Sequence, residues 1–298
     1  MTSSGIGGSQ ASASRRLAAW LHPRRRLQLG LLLTSPLLWI GLAYLGSLAI
    51  LLLNAFWRTD PFSGKIIPEF SLDAFAKLAS SEVYRTIVLR TLGMAVAVTL
   101  TDVLLGFPIA YYMARVASRR TRRILLIAVL LPLWASYLVK IYAWRVILQG
   151  HGLLDSVLAP FGIAGPGLNE ILNSWVVLSY LWLPYMIVPI FTGLERIPES
   201  LLEASSDLGG KAGPTFRRVV LPLALPAVAA GSIFTFSLTL GDYITPTMVS
   251  GTKFIGNVIY DNSSLGSLPL AAAYSFVPIV IMVVYLFIAR RLGAFESL

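Results

Sequence analysis

Three ionisable side chains stand inside long apolar stretches, and they set the chemistry this chain can perform: Asp102, Lys140 and Asp242. A charge at membrane depth is costly and is a functional hypothesis by default. Asp242 is followed by Tyr243, and a carboxylate beside aromatic faces suits an ammonium group through charge and cation–π attraction. Trp134, Tyr137, Trp144 and Trp182 supply further faces, and Thr235, Ser237 and Thr239 supply hydroxyls on the same stretch as Asp242. Plainer roles compete with these. Aromatics form belts at membrane–water interfaces, hydroxyls bond across helices, and Asp242 can equally serve as a hydrogen-bonding element of an outer gate. Asp102 and Lys140 lie about 18 Å and about 24 Å from the inner ends of their stretches, a gap that a lysine stem can cover. The two are expected to pair, fixing helix register, unless Asp102 instead contacts cargo.

Other chemistries find no residues to carry them. The 298 residues include no cysteine, which excludes disulfides and thiolate metal sites. His22 and His151 are too few and too far apart for a histidine-based metal site. No Gly-x4-Gly-Lys-Ser/Thr phosphate loop occurs, so ATP hydrolysis by this chain has no motif behind it. No nucleophile or acid–base cluster stands out either. The expectation is a non-enzyme with no metal or cofactor of its own.

The elements that must position these residues are membrane spans. Only 13% of the residues are charged and 56% are hydrophobic, whereas a soluble domain carries about 25% charged residues. A spanning helix needs about 20 apolar residues. Six stretches qualify: 27–57, 84–114, 124–148, 171–194, 223–243 and 268–289. Each is too long for a barrel strand, so an all-α fold is predicted. The net charge of +10 could suggest nucleic acid, but the basic residues cluster beside the spans. In a six-span layout sixteen of the 24 Lys and Arg fall on one side, which puts both termini in the cytoplasm. The expected organisation is a basic cytoplasmic tail over 1–26, a membrane domain over 27–291 and a short tail over 292–298. Between spans two and one's end, residues 72–78 are amphipathic and predict a short surface helix.

Between spans four and five lies a polar elbow at 195–222, on the cytoplasmic side by the charge count. Residues 201–208 read as a short helix started by Pro198 and Glu199. Gly209 and Gly210 can end it, because Gly accepts the left-handed conformation at a helix C-terminus. A second helical stretch is predicted from Pro214 through Val220, with Pro222 marking entry into span five. Leu201, Leu202 and Leu208 offer an apolar contact, and Glu203, Lys211, Arg217 and Arg218 a charged rim.

The spacing Glu203-Ala204-Ser205-x3-Gly209, then nine residues, then Val219-Val220-Leu221-Pro222 resembles the EAA loop of ATP-binding-cassette (ABC) importer permeases. Ser205 stands where the pattern has a second Ala, and Val219 where it has Ile. Further stretches are similar to the polyamine-type branch of that family: Gly106-Phe107-Pro108-Ile109-Ala110-Tyr111, Pro132-Leu133-Trp134 with Lys140-Ile141-Tyr142-Ala143-Trp144, and Gly241-Asp242-Tyr243 with Ile255-Gly256-Asn257. Arg is more usual at Lys140. The resemblance implies a type I importer permease fold in a bacterial inner membrane, and a coupling surface at Glu203, Ala204, Ser205, Leu208, Gly209, Gly210, Lys211, Leu221 and Pro222. It also implies partners: two ATPase subunits that carry ATP and Mg, a second and different permease chain, and an extracytoplasmic binding protein. The implied cargo is a small organic cation such as spermidine or putrescine, along a path including Asp242, Tyr243, Asp102, Trp134, Tyr137 and Thr239. The rivals are a permease for another small solute and an ion-driven secondary transporter. The latter leaves the elbow unexplained and needs inverted repeats that are not evident.

Overall fold

The computed structural model describes residues 36–60, 64–149 and 170–291, with isolated residues 30, 33, 34 and 160. The tails at 1–26 and 292–298, the arginines before span one and most of the outer loop at 149–170 lie outside the described residues. The chain divides into two compact units, Met1–Asn54 and Ala55–Leu298. Helix α1 is Pro36–Phe56, and its Trp39–Leu45 portion winds as a π-helix.

In the second unit, a two-residue hairpin pairs β1 (Arg58–Thr59) antiparallel with β2 (Ile66–Ile67), with Arg58 opposite Ile67. The amphipathic stretch forms α2 (Asp73–Ser80), as predicted from its pattern. Its Phe75 meets Phe56 and Phe276 at ring centroid distances of 5.3 and 5.5 Å. Then come α3 (Glu82–Val116), α4 (Arg119–Trp134), α5 (Tyr137–Leu148), α6 (Glu170–Glu195) and α7 (Glu199–Asp207). They are followed by α8 (Ala212–Gly241), α9 (Ile244–Val249), α10 (Ile255–Ser264) and α11 (Leu268–Arg291). The long apolar members pair most of their backbone groups within the helix, as lipid requires, with interruptions at interior prolines such as Pro108, Pro184 and Pro226.

Two differences from the sequence expectation concern breaks. Span three is not straight: α4 and α5 are bent by 95° at Ala135–Ser136, both extended. Apolar composition continues across the break, so hydropathy cannot register it. Among the described residues, five helices are long and apolar enough to cross a membrane, and the bent pair makes six if it counts as one span. Conversely, Pro222 does not interrupt α8. The preceding Phe216–Val220 turn winds as a π-helix, which accommodates a residue with no N–H to return to the previous turn. Residues 244–264 contain the turn-favouring Pro246, Gly251, Gly256 and Asn257, yet most of them lie in α9 and α10.

The packed centre consists of α3, α6 and α8. Its inner layer buries Ala110, Met113, Met186, Ile190, Leu194 and Ala224. Its outer layer buries Val98, Leu178 and Leu181 with Ile141 of α5. A third layer joins Ala95, Phe236 and Leu240 to Ile255 of α10 and Tyr274 of α11. Gly106 and Gly231 set the spacing. A Cβ at Gly106 would lie 3.2 Å from Met186 Cγ, and one at Gly231 would lie 2.9 Å from Met186 Sδ. Small residues thus let three backbones converge on one methionine.

Candidate functional site

On the cytoplasmic side the elbow forms from local signals. Glu199 occupies the first turn of α7, where a negative charge is favoured. At the other end, the Gly209 N–H donates to the Ser206 carbonyl at 2.9 Å and the Gly210 N–H to the Ser205 carbonyl at 2.8 Å. Gly209 has φ +77°, the left-handed region that favours glycine. Gly210 is needed for space instead: a Cβ there would sit 2.5 Å from the Ser205 carbonyl oxygen. Ser205, the residue that departs from the EAA pattern, shares a 2.8 Å hydrogen bond with Thr215 across the turn. Glu203, Ala204, Leu208, Gly209 and Lys211 are exposed on one elbow, and Leu208 is 89% exposed. Leu202 instead packs on the inner core layer. Leu221 and Pro222 lie in α8, beyond the exposed turn.

The elbow is tied to the spans by residues whose structural part was not read from sequence. Phe216 meets Phe107 and Tyr111 of α3 edge-on, at 5.8 and 5.6 Å. Arg115 Nη2 donates to the carbonyls of Leu194 and Ile197, at the end of α6 just before the elbow. Arg122 donates to the carbonyls of Met113 and Ala114 and pairs with Glu195 at 2.7 Å. In the sequence these arginines registered only as inner-side charge. The α6 carbonyls that need donors come from nearly eighty positions away, which no local pattern shows.

Near the outer end, Asp242 is nearly buried and receives four hydrogen bonds. Its Oδ1 accepts from the N–H of Ile244 and Thr245 at 2.9 and 3.1 Å, at the start of α9. Its Oδ2 accepts from Thr245 Oγ1 at 2.7 Å and from Tyr137 Oη at 2.5 Å. A carboxylate offers about four such positions, so its acceptor capacity is filled. Tyr137 stacks on Trp182 with centroids 6.0 Å apart. Between them, Asp242, Tyr243 and Ser237 lies a cavity of about 330 Å³. Tyr243 stacks on Tyr260 at 4.7 Å, and its carbonyl accepts from Asn257 Nδ2 at 2.9 Å.

The other expected path residues are placed differently. Trp134 ends α4, is 90% exposed and shares no ring contact with the Tyr137–Trp182 pair among the described residues. Thr239 donates back to the Thr235 carbonyl of its own helix at 2.8 Å. The expected Asp102–Lys140 pair does not form. Among the described residues, Asp102 is completely buried with no partner on either carboxylate oxygen, and Lys140 makes no ion pair. The physical reason is the 95° bend, which sends α5 off the line on which Lys140 would have run beside α3.

A bundle of apolar helices with a polar elbow held out on its charged side defines the membrane permease component of a transporter, not a catalytic subunit. The family described as "Binding-protein-dependent transport system inner membrane component" matches residues 106–295, and this chain belongs to it. The chain is therefore a multi-pass protein of the bacterial inner membrane and an ABC importer permease subunit. It is 46% identical over 295 residues to the inner membrane ABC transporter permease protein YdcU of Escherichia coli (strain K12), covering 94% of this chain and 93% of that one. It is 30% identical over 260 residues to the spermidine/putrescine transport system permease protein PotB of Salmonella typhimurium (strain LT2), covering 85% and 89%. Among solved structures, a bacterial ABC transporter for the acidic polysaccharide alginate aligns with TM-score 0.65 at 20% identity, over 92% of this chain and 99% of that one. That likeness shows the fold alone, a type I importer permease.

Proposed function

We propose that this permease translocates a small organic cation of the polyamine class. The observation that carries the reading is the outer cavity, which Tyr137, Trp182 and Tyr243 line together with Asp242. Such walls attract an alkylammonium group. The likeness to a spermidine/putrescine permease supports it. Because the Asp242 acceptor positions are filled, its part is to hold Tyr137 and α9 in place and to add negative field, with the rings making the contact. Tyr243 and Tyr137 then belong to the path directly. Trp134 belongs to a face covered by lipid or by the second permease chain.

The elbow is the surface that receives force. Two ATPase subunits in trans, carrying ATP and Mg, dock on the exposed stretch around Glu203, Leu208 and Gly209. A push there reaches α3 through Phe216 and α6 through Arg115, which is how a local displacement becomes a change of the bundle. A second, different permease chain completes the channel, and an extracytoplasmic binding protein delivers cargo to the outer loops and largely chooses it. The alternative, another small organic solute on the same architecture, is favoured by one observation: the relative at 46% identity carries no substrate in its name. The test is competition. Uptake of labelled putrescine by the complete transporter should be displaced by spermidine and untouched by a neutral diol of equal length. Equal displacement by the diol would remove the cationic reading.

A further inference from the structure

Among the described residues, five of the seven buried polar side-chain atoms without a protein partner lie at neighbouring levels of α3, α6 and α8: both oxygens of Asp102, Ser179 Oγ, Trp182 Nε1 and Thr235 Oγ1. Their level follows from the contacts. Gly106 and Gly231 both abut Met186, so these three residues share a layer. One helical turn toward the outside from each lies Asp102, Trp182 and Thr235, on the same faces, because four residues is close to one turn. Ser179 sits about one turn further out on α6. All four side chains are more than nine-tenths buried.

That layer holds a carboxylate and brings it no cation. The Lys and Arg of α3 nearest to Asp102 are Arg90 and Arg115, each more than three turns away. Helix α6 has no Lys or Arg, and those of α8 are Arg217 and Arg218 at its inner end. Lys140 is not paired with it. An ionised carboxyl buried without a partner is costly, so the charged form of Asp102 needs a cation, and the described residues of α3, α6 and α8 bring none to it. Trp182 connects this layer to the outer cavity, since it lines that cavity and stacks on Tyr137.

We propose that Asp102, Thr235 and Ser179 form a second, membrane-buried subsite that takes one alkylammonium group of the cargo after it passes the Tyr137–Trp182 pair. The proposal rests on the cationic reading of the cargo. The carboxylate supplies charge, and the two hydroxyl oxygens accept N–H donors. The glycine-spaced contacts at Met186 close the subsite from below.

The test uses the complete permease–ATPase complex in lipid vesicles, without nucleotide and with ATP plus vanadate. Dicyclohexylcarbodiimide reacts with membrane-buried carboxyls, and mass spectrometry reads modification at Asp102. Putrescine should suppress that modification in at least one state, while butane-1,4-diol leaves it unchanged. In Thr235→Val the putrescine concentration for half-suppression should rise about tenfold, the loss of one hydrogen bond to a charged group. Equal modification with diamine and diol overturns the subsite, as does the absence of modification in both states. Putrescine uptake is measured in parallel. Uptake without protection overturns the subsite alone, and protection without uptake overturns the cargo reading alone.

Discussion

Asp102 and Asp242 are both nearly buried aspartates in the same bundle, yet one has four donors on its carboxylate and the other has none. Asp242 stands where α8 ends and α9 begins, so free backbone N–H groups at a helix start are there to meet it. Asp102 stands mid-helix, where the backbone N–H groups are already used. The first arrangement fixes a shape, since removing the acceptor orphans several groups at once. The second leaves a carboxyl group whose charged form needs a partner from elsewhere. Burial alone therefore does not separate the two aspartates; the filling of their acceptor positions does.

The sharpest way to break that contrast is to remove each charge separately. Asp102→Asn should lower putrescine uptake by about a hundredfold, the loss of a buried charged contact worth about 3 kcal/mol. ATPase stimulation by the loaded binding protein should persist, because the elbow is untouched. Comparable losses of uptake and of stimulated ATPase would instead make Asp102 a folding residue. Asp242→Asn should act mainly on the fold. Its amide nitrogen cannot accept from Tyr137 or Thr245, so thermal unfolding should fall by about 1–3 kcal/mol. Adding Tyr137→Phe should recover part of that loss, because the two side chains share one bond. Fully additive effects would show that the Tyr137–Asp242 bond does not hold the outer end.

The elbow extends the comparison to a region whose proposed function sits on exposed residues. Gly209→Leu places a branched side chain at positive φ, a cost of about 1–2 kcal/mol at the turn. Coupled uptake should fall at least about tenfold while membrane insertion is kept, and unchanged uptake would remove the coupling assignment. The smallest effect belongs to Ser205→Ala, which deletes the Thr215 hydrogen bond and restores the residue usual in the motif. Unfolding should shift by no more than about 1 kcal/mol, with transport retained.

The elbow was legible in the sequence because its signals are local. Pro198, Glu199, Gly209 and Gly210 each act within a few residues, and the structure starts and ends α7 within two residues of the expected bounds. The spans were legible for a similar reason, since length and apolarity alone define them. What escaped is what depends on register between helices. The Asp102–Lys140 expectation assumed a straight third span, and no residue type at Ala135–Ser136 announces a 95° bend inside an apolar run. The polar layer around Asp102 escaped too. Ser179, Trp182 and Thr235 join it only because Gly106 and Gly231 meet at Met186, a long-range coincidence of small residues. Arg115 and Arg122 were visible as charge and invisible as caps.

One measurement bears on the whole scheme: ATP-dependent putrescine uptake into vesicles that carry both permease chains and the binding protein, with the ATPase subunits present or omitted. Uptake should appear only with the ATPases, and Gly209→Leu should abolish it without removing the permease from the membrane. Concentrative uptake that continues without the ATPases would mean that the elbow does not couple ATP to transport and that the driving force lies elsewhere.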